Sequence, residues 1–170
     1  MSTALESTEL KELKQTETGG EGRESITLVF TLYDEDYGLD VNLVREIVRV
    51  PPFITRVPNS PDYVLGVINL RGSIVPVFDM ELKIGMKQKE LTDEARIVVL
   101  SWNESLFGII VDSVREVCTI FESNIDSADK LSTGMDKKYI LGVARQEDGR
   151  LIVLLDLAAL FDYDQFMGEE

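Results

Sequence analysis

From residue 26 onward, short runs rich in β-branched and aromatic residues alternate with polar or glycine-containing breaks, a pattern of strands and tight turns. Residues 26–33 form the first run, Asp34-Glu35-Asp36 turns the chain, and 37–41 form the second. A short helical turn is predicted over 42–45, and strand resumes over 47–50 until Pro51-Pro52 ends it. A second hairpin pairs 65–70 with 74–78 around Arg71-Gly72-Ser73, and a third pairs 96–102 with 106–111. Residues 114–121 add a further strand. A fourth hairpin pairs 139–145 with 150–155 across Glu147-Asp148-Gly149, where Asp-Gly supplies a strong turn signal. Residues 157–161 read as a short apolar helix, and 122–138, which have no clear period, as a long loop with room for one helical turn.

These pieces repeat. Tyr37-Gly38-Leu39-Asp40-Val41-Asn42-Leu43-Val44-Arg45-Glu46-Ile47 aligns with Phe107-Gly108-Ile109-Ile110-Val111-Asp112-Ser113-Val114-Arg115-Glu116-Val117. Further on, Leu65-Gly66-Val67 aligns with Leu141-Gly142-Val143, and the stretch from Gly72 to Met80 with that from Gly149 to Leu157. Three matches in the same order imply a duplicated unit. Each copy supplies two hairpins and one lone strand, and five short strands with tight turns suggest a small barrel that hides its edges. A barrel of about 60 residues is marginal alone, so the two should pack together with a concave seam between them. Whether strands are exchanged between the copies is not written in the pattern.

Duplication also separates structural features from others. Asp79 and Asp156 both follow an apolar strand and precede a helical segment, as N-caps do. Asn69-Leu70-Arg71-Gly72 has no counterpart in the second copy, and either a solvated tip or a guanidinium aimed at carboxylates would account for Arg71. Glu46 is its local candidate partner. Val44, Ile97, Val98, Val114 and Val117 are core candidates, some of which should line the seam. Pro76, lacking an N–H, predicts an edge strand or a bulge, and Cys118 a small buried hydrophobe.

Composition narrows the function. The chain has 170 residues, 44% apolar and 28% charged, with 17 basic against 31 acidic side chains and a net charge of −14. That field repels phosphate backbones and anionic lipid, which disfavours nucleic acid and membrane surfaces. No apolar run reaches the roughly 20 residues that span a bilayer, the N-terminus has no signal-peptide pattern, and one cysteine suits a reducing compartment. A cytoplasmic protein is expected. Histidine is absent, which removes histidine phosphotransfer, His-based triads and imidazole metal sites. No cofactor or metal site is legible.

The motifs together resemble the CheW family of chemotaxis coupling proteins. The resemblance is carried by Phe30-Thr31-Leu32, Tyr37-Gly38-Leu39-Asp40, Val44-Arg45-Glu46-Ile47 and Val57-Pro58-Asn59-Ser60-Pro61. Gly66 to Gly72, with Asn69-Leu70-Arg71-Gly72 its most specific part, Ile74 to Asp79, Phe107 to Val114 and Gly149 to Ile152 complete it. It implies a mainly β fold of two five-stranded Src-homology-3-like barrels packed side by side, with short helices and a C-terminal helix. The corresponding division is an acidic tail over 1–23, a CheW-like domain over 24–162 with halves 24–90 and 93–162, and a tail over 163–170. It implies a non-catalytic scaffold, recruited to receptor arrays at the inner membrane. Its partners would be the cytoplasmic tip of chemoreceptors and the regulatory domain of the histidine kinase CheA. Carried over residue by residue, receptor and array contacts fall on Val44, Glu46, Asn69, Leu70, Arg71, Gly72, Ile97, Val98, Val114 and Val117. Two other readings stay open: a small enzyme using Asp79, Asp112 or Asp156, and a ligand-sensing barrel.

Overall fold

A computed structural model describes residues 23–131 and 135–161. The expected tails, apart from Arg23, lie outside the described residues. The first copy of the repeat contributes β1 (Glu24–Leu32), β2 (Glu35–Asp40), β3 (Val44–Arg49), β4 (Val64–Leu70), β5 (Ser73–Asp79) and the one-turn helix α1 (Met80–Lys83). The second contributes β6 (Arg96–Trp102), β7 (Ser105–Val111), β8 (Ser113–Phe121), the two-residue β9 (Ile125–Asp126), β10 (Ile140–Arg145), β11 (Leu151–Leu155) and α2 (Leu157–Leu160). The mainly β expectation holds. The predicted turn over 42–45 is a 3₁₀ turn at Val41–Leu43, because Val44 already pairs with Leu100. The stretch 122–138, read as a loop, holds 3₁₀ turns and β9 among its described residues.

The strands form two sheets, ordered β8-β1-β2-β11-β10-β9 and β3-β6-β7-β5-β4. Numbered within each copy and leaving out the two-residue β9 at the edge, both sheets run third, first, second, fifth, fourth. In each, the first two strands come from one copy and the other three from its twin. The exchange that the pattern left open is realised, and it is symmetric. The parallel pairs β2–β11 and β5–β7 correspond. So do the bulges, where Arg45 is the extra residue against β6 and Arg115 the extra residue against β1. Each helix is capped alike: Asp79 Oδ1 accepts from Leu82 N at 3.0 Å and Asp156 Oδ1 from Ala159 N at 3.2 Å.

Two-sided burial explains the continuous apolar runs. In β6, Ile97 and Val99 enter one cluster with Val75, Val77 and Ile110, whereas Val98 and Leu100 enter another with Leu28, Phe30, Phe78, Phe107 and Phe161. In β1, Leu28, Phe30 and Leu32 face that same large cluster, and Val29 turns the other way toward Ile120, Ala144 and Ile152. The largest core therefore fills the seam between the sheets, and each sheet curls over a smaller core of its own. This is Src-homology-3-like packing.

The segment after β3 brings the edges of its sheet together. Thr55 and Val67 exchange backbone hydrogen bonds, Thr55 N to Val67 O at 3.0 Å and Val67 N to Thr55 O at 2.8 Å. In the other sheet β9 does the same against β10. Gly66 makes the closure feasible, since a Cβ there would lie 2.1 Å from Thr55 O and its φ is +149°. Pro76 departs from the edge expectation: β5 is an interior strand, and its parallel ladder with β7 starts only at Val77, past the missing N–H.

Gly66→Ala is expected to cost about 2–4 kcal/mol in urea denaturation, through strain and the clash with Thr55. Gly72→Ala, where an added Cβ meets nothing within 4 Å, should cost about 1 kcal/mol from its φ of +92° alone. Equal losses would show that the Thr55 closure does not constrain the fold.

Candidate partner-binding surface

The β4–β5 turn is a two-residue hairpin with φ +51° at Arg71 and +92° at Gly72. Such a turn favours Asn or Gly at both positions. Asn69 instead stands before it and accepts a hydrogen bond from Gly72 N at 2.9 Å through its carboxamide oxygen. Arginine gains nothing from left-handed backbone, so its side chain is the feature to explain. The guanidinium crosses to β3, the opposite edge of the sheet, and pairs with Glu46. Glu46 is 8% exposed, but the Arg71 side chain is 72% exposed and keeps further N–H donors for a partner. The pairing expected from the sequence is present.

The ten residues carried over from the resemblance separate into two layers. Glu46, Asn69, Arg71 and Gly72 sit at or around the ion pair, with Leu70 half-buried beside them. Val44, Ile97, Val98 and Val114 are buried, with no side-chain surface to offer. Ile97 fills the small core under β4 and β5, and the other three fill the seam. Their place in receptor contacts stays an expectation from the resemblance; in the fold they pack beneath β3, β6 and β8. Val117 is half-buried against the large core, on the other sheet.

An apolar shoulder adjoins the ion pair, and sequence reasoning missed it. Phe53 is 85% and Ile74 66% exposed. With Val48, Pro51, Asn69 and Leu70 they line a groove of about 580 Å³. A second groove of about 940 Å³, lined by Val57, Tyr63, Val67, Pro76 and Leu106, lies next to it and shares Ile74. Arg45, Arg49 and Arg56 are exposed on this half and make no ion pair among the described residues. The run Pro51-Pro52-Phe53 was a legible signal, since proline denies Phe53 a regular strand in which to bury itself.

The other sheet answers with different chemistry. Asp36 is buried beneath Arg150, whose Nη2 lies 2.6 Å from Oδ2, and Arg115, whose Nη1 lies 3.7 Å from Oδ1. Leu151, the counterpart of Ile74, and Phe121 are exposed there. Cys118 is half-buried rather than fully buried. Burial, with Glu116 and Asp36 nearby, pushes its thiol up to about 11, so it stays protonated at neutral pH.

The carboxylates required by an enzyme reading are otherwise engaged. Asp79 and Asp156 cap helices, and Asp79 Oδ2 also accepts from Gln88 Nε2 at 3.2 Å. Asp112 Oδ2 accepts from Tyr33 N at 2.8 Å and pairs with Lys89 Nζ at 2.8 Å. Among the described residues, no group of three or more acidic or sulfur ligands could hold a metal, and no helix is long and apolar enough to cross a membrane.

A family model described as a CheW-like domain matches residues 27–165. The chain belongs to the CheW-like family. Its relatives include the chemotaxis protein CheW of Klebsiella aerogenes, 32% identical over 138 residues that cover 81% of this chain and 82% of that protein. The chemotaxis protein CheW of Bacillus subtilis is 33% identical over 137 residues, covering 79% and 85%. Among solved structures, the scaffolding protein TtCheW from Thermoanaerobacter tengcongensis superposes with a TM-score of 0.73 at 33% identity, covering 82% of this chain and 94% of that one. The CheW-like fold accounts for the pair of curled sheets described above.

Because Arg71→Ala leaves the nearly buried Glu46 carboxylate without its partner, it should lower stability by about 1–3 kcal/mol. Glu46→Leu should be nearly neutral, whereas Val98→Asp, which buries a charge in the seam, should abolish cooperative unfolding. Denaturation curves of the three variants check the division into surface and core.

Proposed function

We propose that the protein is a non-catalytic scaffold that couples chemoreceptors to the histidine kinase CheA. Membership of the CheW-like family supports this reading, as do relatives named chemotaxis protein CheW and a structural neighbour titled a scaffolding protein. The observation that carries it is the Glu46–Arg71 pair, set on one side of a duplicated fold, with exposed guanidinium donors and an apolar shoulder beside it. Arginine and large aromatic residues are the side chains that dominate protein interfaces. The structural twin of this surface, around Asp36, Arg115 and Arg150, has different chemistry, which suits an adaptor that engages two unlike partners at once.

On this reading the Arg71 surface, comprising Glu46, Asn69, Leu70, Arg71 and Gly72, serves receptor and array contacts at the cytoplasmic receptor tip. The CheA regulatory domain takes exposed sheet edges, with Val117 belonging to the other sheet's contribution. The protein works in the cytoplasm and is recruited to arrays at the inner membrane through these contacts.

Reconstitution with a receptor cytoplasmic fragment and CheA should raise kinase phosphorylation when this protein is added. Arg71→Glu, which sets two acidic groups against each other, should weaken receptor co-sedimentation by at least about tenfold while the circular dichroism spectrum is kept. Equal binding by wild type and Arg71→Glu would remove the ion-pair surface from the interface.

A further inference from the structure

Glu81 lies in α1 and is only 4% exposed, and its Oε2 has no hydrogen-bond partner. Beside it stands Asp112, the single residue between β7 in one sheet and β8 in the other. The twofold kinship gives each a counterpart, Ala158 for Glu81 and Asn42 for Asp112, both exposed and uncharged. The fold therefore does not need an acid pair at this corner.

Residues 84–91, which join the two copies, are fastened around this pair. Met86 N donates to Glu81 O at 2.7 Å. Tyr33 at the β1–β2 turn, with left-handed φ of +52°, donates its hydroxyl to Lys87 O and its backbone N–H to Asp112. Lys89 Nζ meets Asp112 at 2.8 Å and sits 4.6 Å from the Tyr33 ring centre. The corner thus ties the end of one sheet to a turn of the other through the joining segment.

We infer that buried Glu81 keeps its proton in the folded chain and donates it in a hydrogen bond to Asp112, and that this contact latches residues 84–91 across the junction of the two sheets. With the proton in place, the Glu81 hydroxyl donates to the Asp112 carboxylate, which also holds Tyr33 N and Lys89. Without it, the buried Glu81 carboxylate faces the carboxylate of half-buried Asp112, and relieving that repulsion loosens the joining segment held beside them. The charged and titratable groups around Glu81 are Asp112 at the β7–β8 corner, Asp79 at the end of β5, Lys89 on the joining segment and Tyr37 on β2. Asp34 lies near Lys89. Burial first, then the hydrogen bond and charge of Asp112, push the Glu81 carboxyl up to about 8, and Lys89 opposes this only in part. A raised carboxyl binds its proton more tightly in the latched state. The latch is therefore tightest at low pH and loosens as pH rises from the ordinary carboxyl range to about 8.

Native-state hydrogen exchange at the Met86 and Tyr33 amides tests this. After correction for intrinsic rates, wild-type protection should fall about tenfold per pH unit between roughly 5.5 and 7.5 and level off above 8. Glu81→Gln, neutral at every pH and still able to donate to Asp112, should give a flat profile at the same amides. A flat wild-type profile, or the same slope in Glu81→Gln, overturns the latch. Should Glu81→Gln not fold, carbon-13 titration of the wild-type Glu81 carboxyl decides: a midpoint near 8 supports the retained proton, and one in the ordinary carboxyl range overturns it.

Discussion

Ile97 and Val99 of β6 face the small core of their own sheet, while Val98 and Leu100 between them face the core of the seam, so this strand has no polar side at all. A strand covered on both faces needs apolar layers above and below it, and one copy of the repeat is too short to provide both. The exchange of first and second strands between the copies meets that need. Each copy lends its most apolar hairpin to the other's sheet, and the aromatic cluster of Phe78, Phe107 and Phe161 closes the seam between them. Neither half can then separate without exposing the apolar faces of both.

On that doubled frame, symmetry distinguishes what folding requires from what it does not. The capping aspartates, the arginine bulges and the edge-closing segments all occur twice. The Glu46–Arg71 pair, the Asp36 cluster and the Glu81–Asp112 corner occur once. Burying a carboxylate is costly unless it is paired or protonated, and all three solve that problem in different ways. Glu46 borrows an exposed guanidinium, Asp36 sits under two arginines, and Glu81 keeps its proton. Features of this kind persist where a surface or a moving part needs them.

The charge of the chain fits the same division. Its net charge is −14, yet the surface around β3 and β4 carries Arg45, Arg49, Arg56 and Arg71 beside exposed Phe53 and Ile74. A local basic and apolar surface on an acidic protein selects acidic, apolar partner surfaces by complementarity, while the net negative charge of the whole chain sets copies of it against one another.

The periodicity of residues 26–161 was enough for every strand but the two-residue β9, the turn at Asp148-Gly149, both caps and the duplication, because these depend on neighbours within a few positions or on the repeat itself. The pairing of Glu46 with Arg71 was also legible, since Asn69-Leu70-Arg71-Gly72 broke the repeat. The strand exchange was not, because hairpins from either copy present the same apolar faces and only the joining segments decide which sheet each enters. Nor could the sequence separate buried Val44, Ile97, Val98 and Val114 from exposed Ile74: all are aliphatic strand residues, and their surroundings are set by the curl of the sheet. The Glu81–Asp112 corner brings together residues 31 positions apart in a setting that no local pattern encodes. Its proton depends on burial, and burial is a property of the folded chain.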